Sequence, residues 1–152
     1  MAKDVAKPVT GGCLCGAVRF EGEAFMRSAY YCHCTFCQKS TGEPFEIGVP
    51  IKTGTLHFTK GKPTYYASSS FGRRGFCAIC GSRLLWTPPD GKDEWGTNVA
   101  VCALDNPADV QPRYHTYTDT KLPWLDISDD LPQFTEPEMQ LVVERWKAEW
   151  WS

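Results

Sequence analysis

Residues 32–37 read Cys-His-Cys-Thr-Phe-Cys and place three thiols within six positions. A Cys-x-Cys motif at residues 13–15 precedes this segment, and a Cys-x-x-Cys motif at residues 77–80 follows it. Seven of the eight cysteines therefore lie in three short clusters. In a reducing compartment such spacings are typical of metal ligands or catalytic thiols rather than of disulfides. We expect sulfur-bound ions to organise the fold.

Length and charge narrow the class of protein. The chain of 152 residues is most simply one domain that buries its own core. With a formal net charge of -2, the protein has no large positive field to attract phosphates, which argues against a nucleic-acid partner. No apolar run is long enough to span a bilayer, and residues 1–8 lack the hydrophobic core of a signal peptide. We therefore expect a cytoplasmic protein with no membrane partner.

Short alternating segments separated by Gly, Pro and Ser predict a mainly β fold. The first ten residues are polar and are expected to form a flexible lead-in. The Cys-x-Cys motif alternates within a strand candidate, where a disulfide between its two thiols would be strained. One helical turn is expected over residues 35–40. The strand candidates are residues 13–22, 28–32, 45–49, 55–59, 64–68, 71–76, 82–87, 98–104 and 113–117.

Near the end of the sequence the spacing of apolar residues changes from the alternation of a strand to the period of a helix. Residues 135–138 read Thr-Glu-Pro-Glu, a capping box that predicts a helix N-terminus. Met139, Val143, Trp146 and Trp150 then fall on one helical stripe. We expect residues 135–152 to form a C-terminal amphipathic α-helix packed on the same domain. The alternative is a helix that binds a partner, which makes it a candidate surface for homo-oligomerisation.

Seven cysteines divide most naturally into four and three, although spacing alone permits more than one division. One division joins Cys13 and Cys15 to Cys77 and Cys80. Both pairs are followed by glycine, which lets the backbone turn tightly around an ion. Four thiolates on zinc leave no open coordination position, so this site would be structural.

The remaining thiols are Cys32, Cys34 and Cys37. Three protein ligands with an open fourth position are typical of a catalytic zinc. Because three thiolates more than neutralise the dication, this centre is expected to bind a substrate thiol as the nucleophilic thiolate rather than to activate water. The alternative is that a fourth protein ligand closes the site, the available donors being His33, His57, Cys102 and His115. A free cysteine inside the apolar run 98–104 is more typical of a small buried hydrophobe.

The combined motifs resemble the glutathione-dependent formaldehyde-activating enzyme family, also called the GFA or CENP-V family. The resemblance covers residues 11–134 and rests on residues 12–20, 32–37, 75–82, 103–107, 115, 122–124 and 130–132. It implies a mainly β, Mss4-like β-tent of small antiparallel sheets held by two zinc ions per chain. It also implies a structural zinc at Cys13, Cys15, Cys77 and Cys80 and a second, catalytic zinc at Cys32, Cys34 and Cys37.

The activity implied by this resemblance is condensation of glutathione with formaldehyde, a carbon–sulfur lyase reaction with a small-molecule thiol and an aldehyde as partners. Glutathione carries two carboxylates, so its site should present cations near the second zinc. Lys39, Arg73, Arg74 and Arg83 are the candidates by proximity in sequence. No general acid or base stands out in the sequence.

A different class of function is also consistent with the sequence. A zinc-stabilised binding module without chemistry would have a closed or empty second site and would use the Trp-rich C-terminal helix for a protein partner. A weaker hypothesis is a redox switch in which the second thiol cluster oxidises and releases its zinc.

Overall fold

The computed structural model describes residues 3–89, 96–139 and Glu144. Eleven strands and one α-helix are present in these ranges, which confirms the mainly β prediction. The helix α1 spans Thr35–Thr41. The strands are β1 (Lys7–Gly12), β2 (Arg19–Ala24), β3 (Ala29–Cys32), β4 (Glu46–Pro50), β5 (His57–Lys60), β6 (Thr64–Ser69), β7 (Gly72–Phe76), β8 (Arg83–Thr87), β9 (Asn98–Ala100), β10 (Pro112–Thr116) and β11 (Gln133–Phe134).

The strands form two sheets. The smaller sheet has the order β1-β2-β5 and is antiparallel, whereas the larger sheet has the order β11-β10-β3-β4-β9-β8-β7-β6. In the larger sheet β10 pairs in parallel with both β3 and β11, and the other pairings are antiparallel. The expected pattern of small antiparallel sheets is therefore wrong for this larger, mixed sheet.

The core lies between these sheets and consists of aliphatic and aromatic side chains. Phe20 of β2 is 1 % exposed and belongs to the same buried cluster as Leu84, Val49 and Val99, which come from three strands of the larger sheet. An isolated bridge between Gly11 and Leu104 also links the smaller sheet to the segment that follows β9. Removal of this apolar surface from water is the main force that holds the sheets together.

Helix α1 begins and ends with local capping. The Cys34 side chain accepts a hydrogen bond from the Cys37 amide at the N-terminus. At the C-terminus Gly42 adopts φ 74°, and its amide donates to the carbonyl of Gln38. Because a left-handed residue at this position costs least for glycine, Gly42 ends the helix after seven residues.

Two predictions near the start of the chain are corrected. Residues 7–10, assigned to the lead-in, belong to β1, whose ladder runs from Lys7 opposite Ala24 to Gly12 opposite Arg19. Three of its six residues are exposed and only Gly11 is buried, so its sequence lacks the apolar alternation that would have revealed it. Residues 13–18, expected to start a strand, form a turn instead, and β2 begins only at Arg19.

The apolar run 98–104 is likewise only partly a strand. β9 ends at Ala100, where its pairing with Gly48 of β4 stops, and Val101–Ala103 form a 3-10 turn. Cys102 lies in this turn and is exposed. The interpretation of Cys102 as a small buried hydrophobe is therefore wrong, because the turn rotates its side chain out of the core.

The predicted C-terminal helix falls mostly outside the described residues. The capping box is present, since the Thr135 amide and hydroxyl both contact the Glu138 carboxylate, and it closes a 3-10 turn over Glu136–Glu138. Met139 is 5 % exposed and packs against Tyr114. The other stripe residues, Val143, Trp146 and Trp150, lie outside the described residues. Within those residues, no helix has the length and apolar character needed to cross a membrane.

Candidate metal centres and the adjoining pocket

Four cysteine thiols come together between two turns of the same construction. Cys13 and Cys15 lie on the turn from β1 to β2, and Cys77 and Cys80 lie on the turn from β7 to β8. In each turn the amide of the first cysteine donates to a carbonyl five residues ahead, at 3.0 Å. All four Sγ atoms lie within 4.8 Å of one another, so this group could hold a metal ion.

These turns form because of their glycines and amides. Gly16 and Gly81, with φ 78° and 75°, follow directly after the second cysteine of each pair. A side chain at positive φ would be strained, so glycine allows each turn to close. The Val18 amide points at the Sγ of Cys13, 3.2 Å away, and lies where it would stabilise a thiolate. The Ser82 hydroxyl and amide lower the pKa of Cys80 to about 5.

The second group consists of Cys32, Cys34 and Cys37. Cys32 ends β3, Cys34 caps α1, and Cys37 lies in the first turn of α1. Their Sγ atoms also lie within 4.8 Å of one another. The end of β3 and the start of α1 thus bring three thiols together within six residues. Cys32 and Cys37 are buried, and Cys34 is half-buried.

The spacing of the thiols fits a metal better than disulfides. All eight cysteines are free. The Sγ atoms of Cys13 and Cys15 are 3.6 Å apart, and those of Cys15 and Cys77 are 3.9 Å apart. A tetrahedral zinc with Zn–S bonds of about 2.3 Å places its sulfurs roughly 3.8 Å apart, whereas a disulfide requires about 2.05 Å. The donor set of the second group, with Cys32 and Cys37 Sγ atoms 3.3 Å apart, also suits a soft ion.

The alternative fourth donors are located elsewhere. His33, His57, His115 and Cys102 belong to neither thiol group in the described part of the chain. His57 is exposed on β5, and Cys102 is exposed after β9. The second group therefore contains three thiols and no further protein donor among residues 3–89 and 96–139.

His33 instead belongs to a chain of hydrogen-bonded side chains that begins in the interior and ends at the exposed Asp129. Its Nε2 lies 2.8 Å from Nδ1 of His115, whose Nε2 lies 3.0 Å from a carboxylate oxygen of Asp129. The carbonyl of His33 accepts hydrogen bonds from Gln38 and Thr120. Burial lowers the pKa of His33 to about 4, so its imidazole is neutral at physiological pH. Because His33 lies between Cys32 and Cys34, this network holds the backbone that carries two of the three thiols.

Three charged side chains lie beneath the second group. Arg74 places both terminal nitrogens 3.8 Å from the Sγ of Cys37, and Arg74 and Arg83 both pair with the Glu46 carboxylate, at 3.4 and 2.9 Å. All three side chains are nearly buried. The arrangement places a cation next to thiols that carry negative charge when they bind a metal.

The three thiols titrate as a set. The neighbouring thiols of Cys32 and Cys37 lower the pKa of Cys34 to about 3, whereas Cys34 raises the pKa of Cys32 to about 12. The neighbouring thiols therefore favour the thiolate form of Cys34, which is the least buried of the three.

A pocket of about 230 Å³ opens beside the second group, and all three of its thiols line the wall. Six of the other sixteen lining residues are aromatic or apolar, namely Tyr30, Phe36, Phe71, Trp86, Tyr117 and Met139. Gly48 is required at this point, because a Cβ there would lie 2.6 Å from the Tyr30 hydroxyl. Because Gly48 has no side chain, the Tyr30 ring can lie against β4 at the wall of the pocket.

Tyr117 is a second unusual feature of the pocket. It is the one non-glycine residue with positive φ in the described ranges, with φ 55° and ψ 43°. Its carbonyl accepts hydrogen bonds from the Thr120 amide and hydroxyl, which hold the strained turn in place. A bulky residue in this conformation is uncommon and is typical of functional sites. Burial raises the pKa of the Tyr117 phenol, which therefore stays protonated at neutral pH.

Sequence reasoning found the thiols but missed their surroundings. Of the four predicted cations only Arg74 lines the pocket, whereas Arg73 lies over the Tyr65 ring and Arg83 pairs with Glu46. Tyr117, Glu46 and Asp129 were not singled out. The motif containing His115 was a signal in the sequence, but nothing local connected it to His33.

Comparison with known proteins adds to this picture. The sequence model described as glutathione-dependent formaldehyde-activating enzyme matches residues 8–120, well over half of the 152-residue chain. An uncharacterised lyase of Schizosaccharomyces pombe is 31 % identical over 91 residues, which cover 59 % of this chain and 64 % of that protein. The matched segment thus spans somewhat less than two thirds of that relative.

Proposed function

This chain belongs to the glutathione-dependent formaldehyde-activating enzyme family, and on that premise we propose that it is a zinc-dependent carbon–sulfur lyase. It forms or cleaves the adduct of a small-molecule thiol with an aldehyde. The family name makes glutathione and formaldehyde the first pair to test. We assign the chemistry to the zinc-binding domain predicted over residues 11–134, which contains both thiol groups.

The observation that carries this proposal is the position of the second group. Cys32, Cys34 and Cys37 form part of a pocket wall and have no fourth protein donor among the described residues. A purely structural site would be closed on all sides. The four thiols of the first group fit that structural role, because their turns join the smaller sheet to the larger one.

The thiols of the second group would hold the zinc ion. When bound, zinc supplies an open coordination position that favours the thiolate form of a substrate thiol. The Arg74 guanidinium offsets part of the negative charge of the protein thiolates, because it lies 3.8 Å from Cys37. The aromatic wall of the pocket keeps water away from the reacting sulfur.

The reaction forms one carbon–sulfur bond. The substrate sulfur attacks the aldehyde carbon, the carbon–oxygen π bond opens, and the oxygen takes up a proton. The product is a hydroxyalkyl thioether, which contains all the atoms of the thiol and the aldehyde. Tyr117 lines the same pocket and donates a hydrogen bond to the oxygen as negative charge develops there. Water accepts the proton that the thiol loses and supplies the proton that the oxygen gains. The same steps in reverse cleave the adduct.

Magnetisation-exchange NMR between glutathione and its formaldehyde adduct tests the proposal directly. Fully zinc-loaded protein should accelerate the exchange, and Cys34→Ala should abolish the effect while one zinc per chain remains. Cys102→Ala is the matched control, because this exposed thiol lies outside both groups. Loss of acceleration in the control, or equal acceleration by wild type and Cys34→Ala, would exclude the assigned site.

The binding-module alternative has no specific support in the described residues. Its main argument was the Trp-rich helix, and those tryptophans lie outside the described ranges. The same is true of homo-oligomerisation through that helix.

A further inference from the structure

The pocket beside Cys32, Cys34 and Cys37 has walls that differ from those a tripeptide thiol requires. Its aromatic and apolar side chains come from segments far apart in sequence, from Tyr30 on β3 to Met139 after the last turn. Phe71 lies between β6 and β7 at the edge of the pocket and is 54 % exposed. A ring bound there would cover part of this phenylalanine.

Charge in the pocket disfavours an anionic ligand. Within the described part of the chain, the charged lining residues are Glu46, Arg74 and Glu136. The single cation, Arg74, already contacts Glu46 and Cys37. Arg74 and Arg83 both pair with Glu46, so neither guanidinium is available to a ligand, and Glu136 and the metal-binding thiolates add negative charge. A ligand carboxylate would therefore be repelled without gaining an ion pair.

The other cations expected to bind glutathione face elsewhere. Lys39 lies on the exposed side of α1, beside Trp124 rather than beside the thiols. Arg73 lies 5.2 Å from the centroid of the Tyr65 ring. Neither of these residues lines the pocket.

The volume of the pocket also disfavours glutathione. The pocket holds about 230 Å³. A dry cavity of about 150 Å³ accommodates benzene, whereas sites for drug-sized ligands measure about 300–1,000 Å³. The volume therefore suits one ring with a short arm and leaves little room for a tripeptide.

We propose that this site selects an uncharged thiol whose apolar body is about the size of one aromatic ring, in preference to glutathione. The inference rests on the proposed function for its reaction, in which the sulfur of this thiol bonds to the aldehyde carbon and the thiol proton ends on the oxygen. Stacking against the aromatic walls supplies the affinity. The lack of an available cation among the described lining residues supplies the discrimination against carboxylates.

Calorimetric titration of zinc-loaded protein tests the selection with a matched pair of thiols. Benzyl mercaptan and 4-(mercaptomethyl)benzoate share one ring and differ in a single carboxylate. We expect benzyl mercaptan to bind at least about tenfold more tightly than the benzoate and than glutathione. Zinc content measured after each titration shows that the thiol has not removed the metal. Equal or tighter binding of glutathione would overturn the inference.

Two variants locate the binding. Phe71→Ala should weaken benzyl mercaptan about tenfold because it removes a wall of the pocket. Trp124→Ala, which deletes an exposed aromatic residue outside this pocket, should leave binding unchanged. Glu136→Lys should reduce the difference between the benzoate and benzyl mercaptan. An unchanged affinity in Phe71→Ala would also overturn the inference.

Exchange NMR on the same samples separates this inference from the proposed function. If benzyl mercaptan binds as expected but no thiol–formaldehyde exchange is accelerated, the lyase assignment fails and the binding preference stands. If glutathione binds best and its exchange is accelerated, the lyase assignment stands and the preference fails.

Discussion

The Arg74 guanidinium lies 3.8 Å from the Sγ of Cys37 through both of its terminal nitrogens. One of these nitrogens also lies 3.4 Å from the Glu46 carboxylate. A nearly buried cation is thus held against one thiol of the second group from below. This relationship connects the affinity of the metal centre to a residue that is not itself a ligand.

Arg74→Met should weaken zinc binding at the second group about tenfold, since partners beyond the ligands typically contribute that much. Zinc release against a chelator gives both affinities, and the first group should keep its own. Arg73→Met is the control, because Arg73 lies over Tyr65 and away from the thiols. Equal zinc affinity in wild type and Arg74→Met would contradict a role for this charge.

Loss of a ligand should have different effects in the two thiol groups. Cys77→Ser should lose one zinc and most of the folded structure, because the first group joins the two sheets and structural zinc contributes roughly 10 kcal/mol. Cys34→Ala should lose one zinc and remain folded. Zinc content and circular dichroism measure both outcomes. An unfolded Cys34→Ala protein would show that the second group is structural as well.

Tyr117→Phe should slow thiol–aldehyde exchange about a hundredfold, because removal of one hydrogen-bond donor to a developing oxyanion has effects of that size. The affinity for the thiol should change little, since the ring remains. Tyr66→Phe is the matched control, because Tyr66 is 67 % exposed and does not line the pocket. Wild-type exchange rates in Tyr117→Phe would exclude the tyrosine as donor.

His115→Phe should lower the free energy of unfolding by about 1–3 kcal/mol, because it leaves the buried Nε2 of His33 without its 2.8 Å partner. Urea denaturation measures the change. Asp129→Asn, which keeps a side chain able to bond to His115, should cost less. A larger loss in Asp129→Asn than in His115→Phe would reverse the assigned order of importance.

Acid stability should depend on Asp105. Hydrogen bonds from Arg19 and Thr10 lower the pKa of this carboxyl from 3.8 to about 2. A depressed pKa in the folded state means that the ionised form stabilises folding, so the contribution is complete above pH 3.8 and is lost as the pH falls toward 2. Wild type should therefore lose more thermal stability than Asp105→Asn across this interval. Parallel curves for the two proteins would exclude the effect.

The sequence by itself determined the features that depend on neighbouring residues. Cysteine spacing identified the three thiol clusters, and the glycine after each pair favoured one of the possible divisions, in which Cys13 and Cys15 join Cys77 and Cys80. The structure brings these four thiols together. The mainly β class followed from short alternating segments. Prediction from local pattern was wrong in two places. The sequence of β1 has no alternation of apolar residues, although it is a strand, whereas residues 13–18 have a strand-like alternation, although they form a turn.

Only the tertiary structure decided what surrounds the second thiol group. Arg74 on β7, Tyr117 after β10 and Tyr30 on β3 meet at one pocket because the order of the larger sheet brings their strands into one layer. Cys102 is exposed because strand pairing ends at Ala100. Contacts of this kind depend on sheet order and register, which are set by many weak long-range interactions at once, and no short motif encodes them.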